Sequence, residues 1–122
     1  MRKKFRKELN AGTISLVILA ILGQSPRAMY GYRIAKSLEQ LEHDKEPVVK
    51  QGTLYPVLRS MERSGLLASN VEPSVSGPPR KYYVITDAGR HTLEQWKAVW
   101  RQTRDLVDSV LSGDALANME DL

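Results

Sequence analysis

The stretch Gln51-Gly52-Thr53-Leu54-Tyr55-Pro56-Val57-Leu58-Arg59-Ser60-Met61-Glu62-Arg63-Ser64-Gly65, with the two runs that follow it, decides how this chain folds. Leu54, Val57, Leu58 and Met61 form the apolar stripe of a helix over roughly Gln51 to Ser64, and Gly65 is placed to cap it. Pro56 sits near the helix start, where few intrahelical bonds are lost, and its ring presses on the carbonyl of Gly52, whose backbone can adjust. The period then changes. Leu66 to Glu72 and Arg80 to Thr86 read as two short strands, the second rich in β-formers (Tyr82, Tyr83, Val84, Ile85, Thr86). Between them, residues 73–79 carry too little apolar content to pack and are expected to be a mobile hairpin tip.

Two helices precede this unit. Ile14, Val17, Ile18, Ile21 and Leu22 follow the i, i+3, i+4, i+7, i+8 pattern, and Leu16 and Leu19 add a second apolar face. The first helix is expected to start near Asn10, a good N-cap residue, and to stop at Gly23. Arg2, Lys3, Lys4, Arg6 and Lys7 stand before that apolar run as a secretory signal would have them, but no clean small-x-small cleavage site follows. The run is far short of the ~20 residues a membrane span needs, so it is a core helix. In the second helix Tyr30, Ile34, Leu38 and Leu41 make the buried stripe and the polar stretch 43–47 ends it.

After the strands, Thr86 or Asp87 caps a last helix running to about Ser112, with Gly113 as its stop. Its ~26 residues span ~39 Å at ~1.5 Å per residue. Leu93, Trp96, Trp100, Thr103, Val107 and Val110 are spaced 3, 4, 3, 4, 3, a heptad-type seam. Val99, Leu106 and Leu111 widen it. A small body cannot cover such a helix along its length, so a second copy is the economical partner. Residues 114–122 read as a frayed tail.

The 122 residues, 42% hydrophobic and 26% charged, suit one globular domain with an appended element. The net charge of +4 hides an asymmetry. Residues 1–86 hold 14 basic and 7 acidic side chains (+7), whereas residues 87–122 hold 4 and 7 (−3), so the two parts are expected to face different partners. With no cysteine, disulfides, thiolate zinc sites and a cysteine nucleophile are excluded. His43 and His91 have no ligand spacing, and no catalytic or phosphate-cradling signature occurs, so no metal, no cofactor and no enzymatic activity are expected.

Three helices followed by a two-stranded hairpin is the element order of a winged helix-turn-helix, a mainly α (α+β) fold that sets its third helix in the DNA major groove and its hairpin against the backbone or minor groove. Lys50, Gln51, Thr53 and Tyr55 at the start of helix three, Arg59 one turn on, and Arg80 and Lys81 beside the wing tip are the candidate DNA contacts. Gln51 and Thr53 suit base edges; Arg80 and Lys81 suit phosphates. Tyr55 either touches DNA or packs on helix two, and Tyr30 either contacts the backbone or packs between helices. The organisation is a basic tail over 1–8, which grips flanking DNA or is merely solubilising, a winged helix-turn-helix domain over 9–86, a C-terminal dimerisation helix over 87–113, and the frayed tail.

The residues also carry a resemblance. Tyr30-Gly31-Tyr32-Arg33-Ile34, Gly52-Thr53-Leu54-Tyr55-Pro56-Val57-Leu58, Glu62-Arg63-Ser64-Gly65-Leu66, Gly77-Pro78-Pro79-Arg80-Lys81-Tyr82-Tyr83 and Thr86-Asp87-Ala88-Gly89-Arg90 closely resemble, in order, the blocks of the PadR family of bacterial transcriptional regulators. The resemblance covers about residues 9–100 and is to the smaller subfamily, with one helix after the wing. Ser60 stands where the family commonly has Arg, Met61 where Leu is usual, and Lys50 where a capping Ser or Thr is frequent.

The resemblance implies a cytoplasmic, homodimeric repressor of a palindromic DNA operator. It also permits a small aromatic effector between subunits, stacked on Trp96 or Trp100, with Trp96 the better candidate because it lies nearer the wing domain; the other reading of both indoles is plain interface core. A winged-helix module that binds protein instead of DNA is the rival function.

Overall fold

The computed structural model describes residues 1–41 and 51–119. The elements run α1 (Arg2–Gln24), β1 (Met29–Tyr30), α2 (Gly31–Leu41), α3 (Gln51–Arg63), β2 (Leu67–Ser74), β3 (Gly77–Ile85), α4 (Asp87–Ser112) and α5 (Asp114–Ala117). The three strands form one antiparallel sheet of order β1-β3-β2, and with α1 to α3 they make a winged helix-turn-helix.

One core joins all of this. Ile18, Leu19 and Leu22 of α1, Ile34 of α2, and Leu54 and Leu58 of α3 are its most deeply buried side chains. Tyr83 and Ile85 of β3 close it from the sheet side, and Leu93 from α4. Each fully buried aliphatic chain is worth about 1.5–3 kcal/mol in transfer free energy, which makes this cluster the main source of stability.

Several expectations are corrected. α1 starts at Arg2, not near Asn10. The segment 2–9 holds no proline or glycine and several straight-chain helix formers, so it extends the helix beyond the core, and the basic stretch is the start of α1 rather than a separate tail. Tyr30 belongs to β1, opposite Tyr82, and Leu41 is exposed, so the buried stripe of α2 is Ile34, Ala35 and Leu38. A two-residue strand is too short for alternation to reveal.

The wing is also more regular than expected. Both strands run almost to the tip, leaving Val75 and Ser76 as the turn. Register shifts between Glu72 and Ser74; Pro73 there lacks the N–H that a regular ladder needs.

The ends of α3 and α4 follow their sequence signals. At Gly65 (φ 80°), the Leu66 N–H donates to the Met61 carbonyl at 2.9 Å and the Gly65 N–H to Glu62 at 3.0 Å, a Schellman cap. Thr86 caps α4, its hydroxyl accepting from the Gly89 N–H at 3.0 Å, and Gly113 ends that helix in the left-handed region. Beyond it, Asp114–Ala117 forms one further helical turn where a frayed tail was expected.

Candidate nucleic-acid interface

The outer side of α3 and the wing face one another across a groove of about 620 Å³. Tyr30 of β1, Gly31 and Tyr32 of α2, and Tyr55 and Arg59 of α3 line one side, and Ser74 and residues 76–81 contribute much of the other wall. The structure therefore brings together five of the expected contacts: Tyr30, Tyr55, Arg59, Arg80 and Lys81. Thr53 is exposed in the first turn of α3, which Gln51 begins. Lys50 and His43 lie outside the described residues.

The tyrosines form the floor. The Tyr55 ring lies across Gly31, so closely that a Cβ on that glycine would come within 2.5 Å of it, yet Tyr55 keeps 40% of its surface exposed. Packing on α2 and an open face toward the groove thus coexist in one side chain. Tyr30 stacks on Tyr32 with ring centres 6.3 Å apart and tilts against Tyr82 at 5.4 Å. The Arg80 guanidinium carbon sits 4.6 Å from the centre of the Tyr30 ring, within cation–π range.

Lys81, expected to act with Arg80, is held differently. Its ammonium donates to Glu62 Oε1 at 2.9 Å, while Oε2 of the same carboxylate accepts from the Ser69 hydroxyl. These contacts hold the Glu62 carboxyl below the usual carboxylate range, the Ser69 hydrogen bond first and Lys81 second. The Glu62 hydrogen bond in turn raises Lys81 above its ordinary value. Glu62, Tyr32 and Tyr82 were not singled out from the sequence. A doubled Tyr-x-Tyr at residues 30–32 is the one signal that pointed toward the aromatic floor.

On α4, Leu93 is corrected as an interface residue: it is only 6% exposed, and a Cβ on Gly23 would come within 2.9 Å of it, so it is spent within its own core. Trp96 is half-buried against that core. The exposed part of the seam begins with Trp100 and continues through Thr103, Val107 and Val110. Among the described residues no helix is long and apolar enough to cross a membrane, and no three His, Cys, Asp or Glu side chains are grouped to hold a metal ion.

The profile of the transcriptional regulator PadR-like family matches residues 18–95. A crystal structure of a PadR family transcriptional regulator from Eggerthella lenta superposes with a TM-score of 0.73 at 38% identity, covering 85% of this chain and 86% of that one. A PadR-like regulator from Bacillus cereus gives 0.69 at 32% identity, covering 85% and 96%. A transcriptional regulator of Mycobacterium tuberculosis is 39% identical over 67 residues, 55% of this chain and 59% of its own. The chain belongs to the PadR-like family of transcriptional regulators.

Proposed function

We propose that this regulator is a homodimeric repressor that binds a palindromic operator in double-stranded DNA. The observation that carries this reading is the groove between α3 and the wing, where Tyr55, Arg59 and Arg80 converge with Tyr30. Gln51 and Thr53 at the start of α3 are the base-edge readers, and Arg59 and Arg80 meet phosphates. The exposed apolar positions Val107 and Val110 on α4 support a second copy as partner. Two copies present two α3 helices to half-sites about 34–36 Å apart, or a multiple of that.

A small aromatic effector that prefers a dimer arrangement with the wrong spacing would release the DNA by shifting the population. Trp100, exposed on the seam, is the better stacking surface for it, because Trp96 already packs on its own core. Trp100→Ala separates the roles. A dimer that persists but ignores the compound assigns the ring to the effector, and loss of the dimer on sizing assigns it to the interface.

The decisive experiment looks for protected DNA upstream of the protein's own gene, over a range of salt and then with candidate aromatic compounds. Affinity that falls steeply with salt is expected, since each neutralised phosphate releases counterions. A flat salt slope, or no retarded band, would sink the repressor and favour a winged-helix module that binds protein.

A further inference from the structure

Neighbouring residues of a strand point to opposite faces of the sheet, and β3 uses this to give Arg80 and Lys81 different surroundings. Lys81 faces α3 and is paired with Glu62 at 2.9 Å. Arg80 lies over the ring of Tyr30. That ring is held from two sides: its backbone is paired opposite Tyr82 and its ring tilts against the Tyr82 ring at the base of the wing, while Tyr32 stacks beside it from the first turn of α2.

We propose that Tyr30 is the positioning residue for the wing's DNA contact. It holds the Arg80 guanidinium at the groove so that its N–H donors meet a DNA phosphate, while Lys81 braces the wing against α3 and carries no phosphate. This rests on the DNA-binding reading above. An arginine near a hairpin tip must lose rotamer freedom to meet a phosphate, and stacking on an anchored ring removes part of that freedom beforehand. A guanidinium over a ring still directs its in-plane donors outward, whereas the ammonium of Lys81 is already neutralised by a carboxylate within the protein.

Phosphate contacts are independent of sequence, so the test uses a mixed-sequence DNA duplex titrated over a salt series. Tyr30→Phe keeps the ring and binds as the wild type does. Tyr30→Leu weakens binding about two- to fivefold, the size of an exposed cation–π contact. In an Arg80→Ala background the same change has no further effect. Arg80→Ala lowers the salt slope by about one contact and Lys81→Met leaves it unchanged.

If Tyr30→Leu unfolds, Tyr30→Val, a strong strand former, takes its place. An equal Tyr30→Leu loss with and without Arg80 overturns the proposal, as does a Lys81→Met slope that drops like that of Arg80→Ala. A wild-type protein with no salt-dependent duplex binding fails the DNA-binding reading itself, and is told apart by that.

Discussion

On the proposed DNA-binding reading, Arg80 and Gln51 separate the two contributions to recognition. Arg80→Ala is expected to weaken binding to every duplex alike and to reduce the slope of log affinity against log salt by about 0.9. Gln51→Ala should leave that slope alone and relax discrimination at particular base pairs, by about 1–3 kcal/mol for a lost bidentate contact. A salt titration on matched and mismatched duplexes reads both, and unchanged binding in both variants refutes the roles of wing and α3.

At the same scale, Glu62 makes a pH prediction. Its folded carboxyl titrates below the unfolded value, chiefly because Ser69 and Lys81 hydrogen-bond the ionised form. The stability it contributes is therefore fully present above the unfolded value of about 4.3 and is lost as pH falls through the lower folded value. Lys81 mirrors this at the alkaline end, its contribution fading as pH rises through its raised folded value. Melting temperatures taken from neutral to acid pH should fall less steeply for Glu62→Gln than for the wild type; parallel curves would remove Glu62 from the account. Arg80 and Lys81 were legible as basic wing residues, but their division was not. It depends on which face of β3 meets α3, a fact of tertiary packing that residue type does not encode.

Elements with long periodic patterns were legible, and those set by single contacts were not. α3, α4 and their glycine stops follow from apolar spacing and cap chemistry. β1 holds two residues and exists only because β3 pairs with it, and the extension of α1 lies before its apolar stripe begins.

Gly89 is a contact of the second kind. It is buried in the first turn of α4, and a Cβ there would overlap the Leu66 carbonyl and press on Ile85. That carbonyl accepts the Thr86 N–H at 3.1 Å, so it cannot retreat without loosening the start of α4. Gly89→Ala should cost about 1–3 kcal/mol, the usual range for overpacking. Gly12, in the middle of α1, has nothing within 4 Å of a Cβ. There the same substitution should stabilise by about 0.5–1 kcal/mol through helix propensity alone. Urea midpoints with unchanged slopes measure both; a neutral Gly89→Ala would show that α4 is not seated on that carbonyl.

For the whole molecule, the net charge of +4 is less informative than its split into +7 over residues 1–86 and −3 over residues 87–122. The groove and wing lie in the first part, and α4 in the second carries its apolar residues outward beyond Trp96. Val107 and Val110, one turn apart, are 46% and 53% exposed, on a 26-residue helix whose contact with the core ends near Trp96. Val107→Glu places a charge on that seam without touching the core. It is expected to give a monomer on sizing while the melting of the winged-helix body is preserved.

Two linked reading heads bind a palindrome far more tightly than one, because engaging the second half-site is intramolecular. The variant should therefore lose most of its operator affinity, yet keep the weak binding of one body to an isolated half-site. Equal losses on palindrome and half-site would mean that the substitution damaged the reading head itself. An unchanged dimer would place the partner surface elsewhere than on α4.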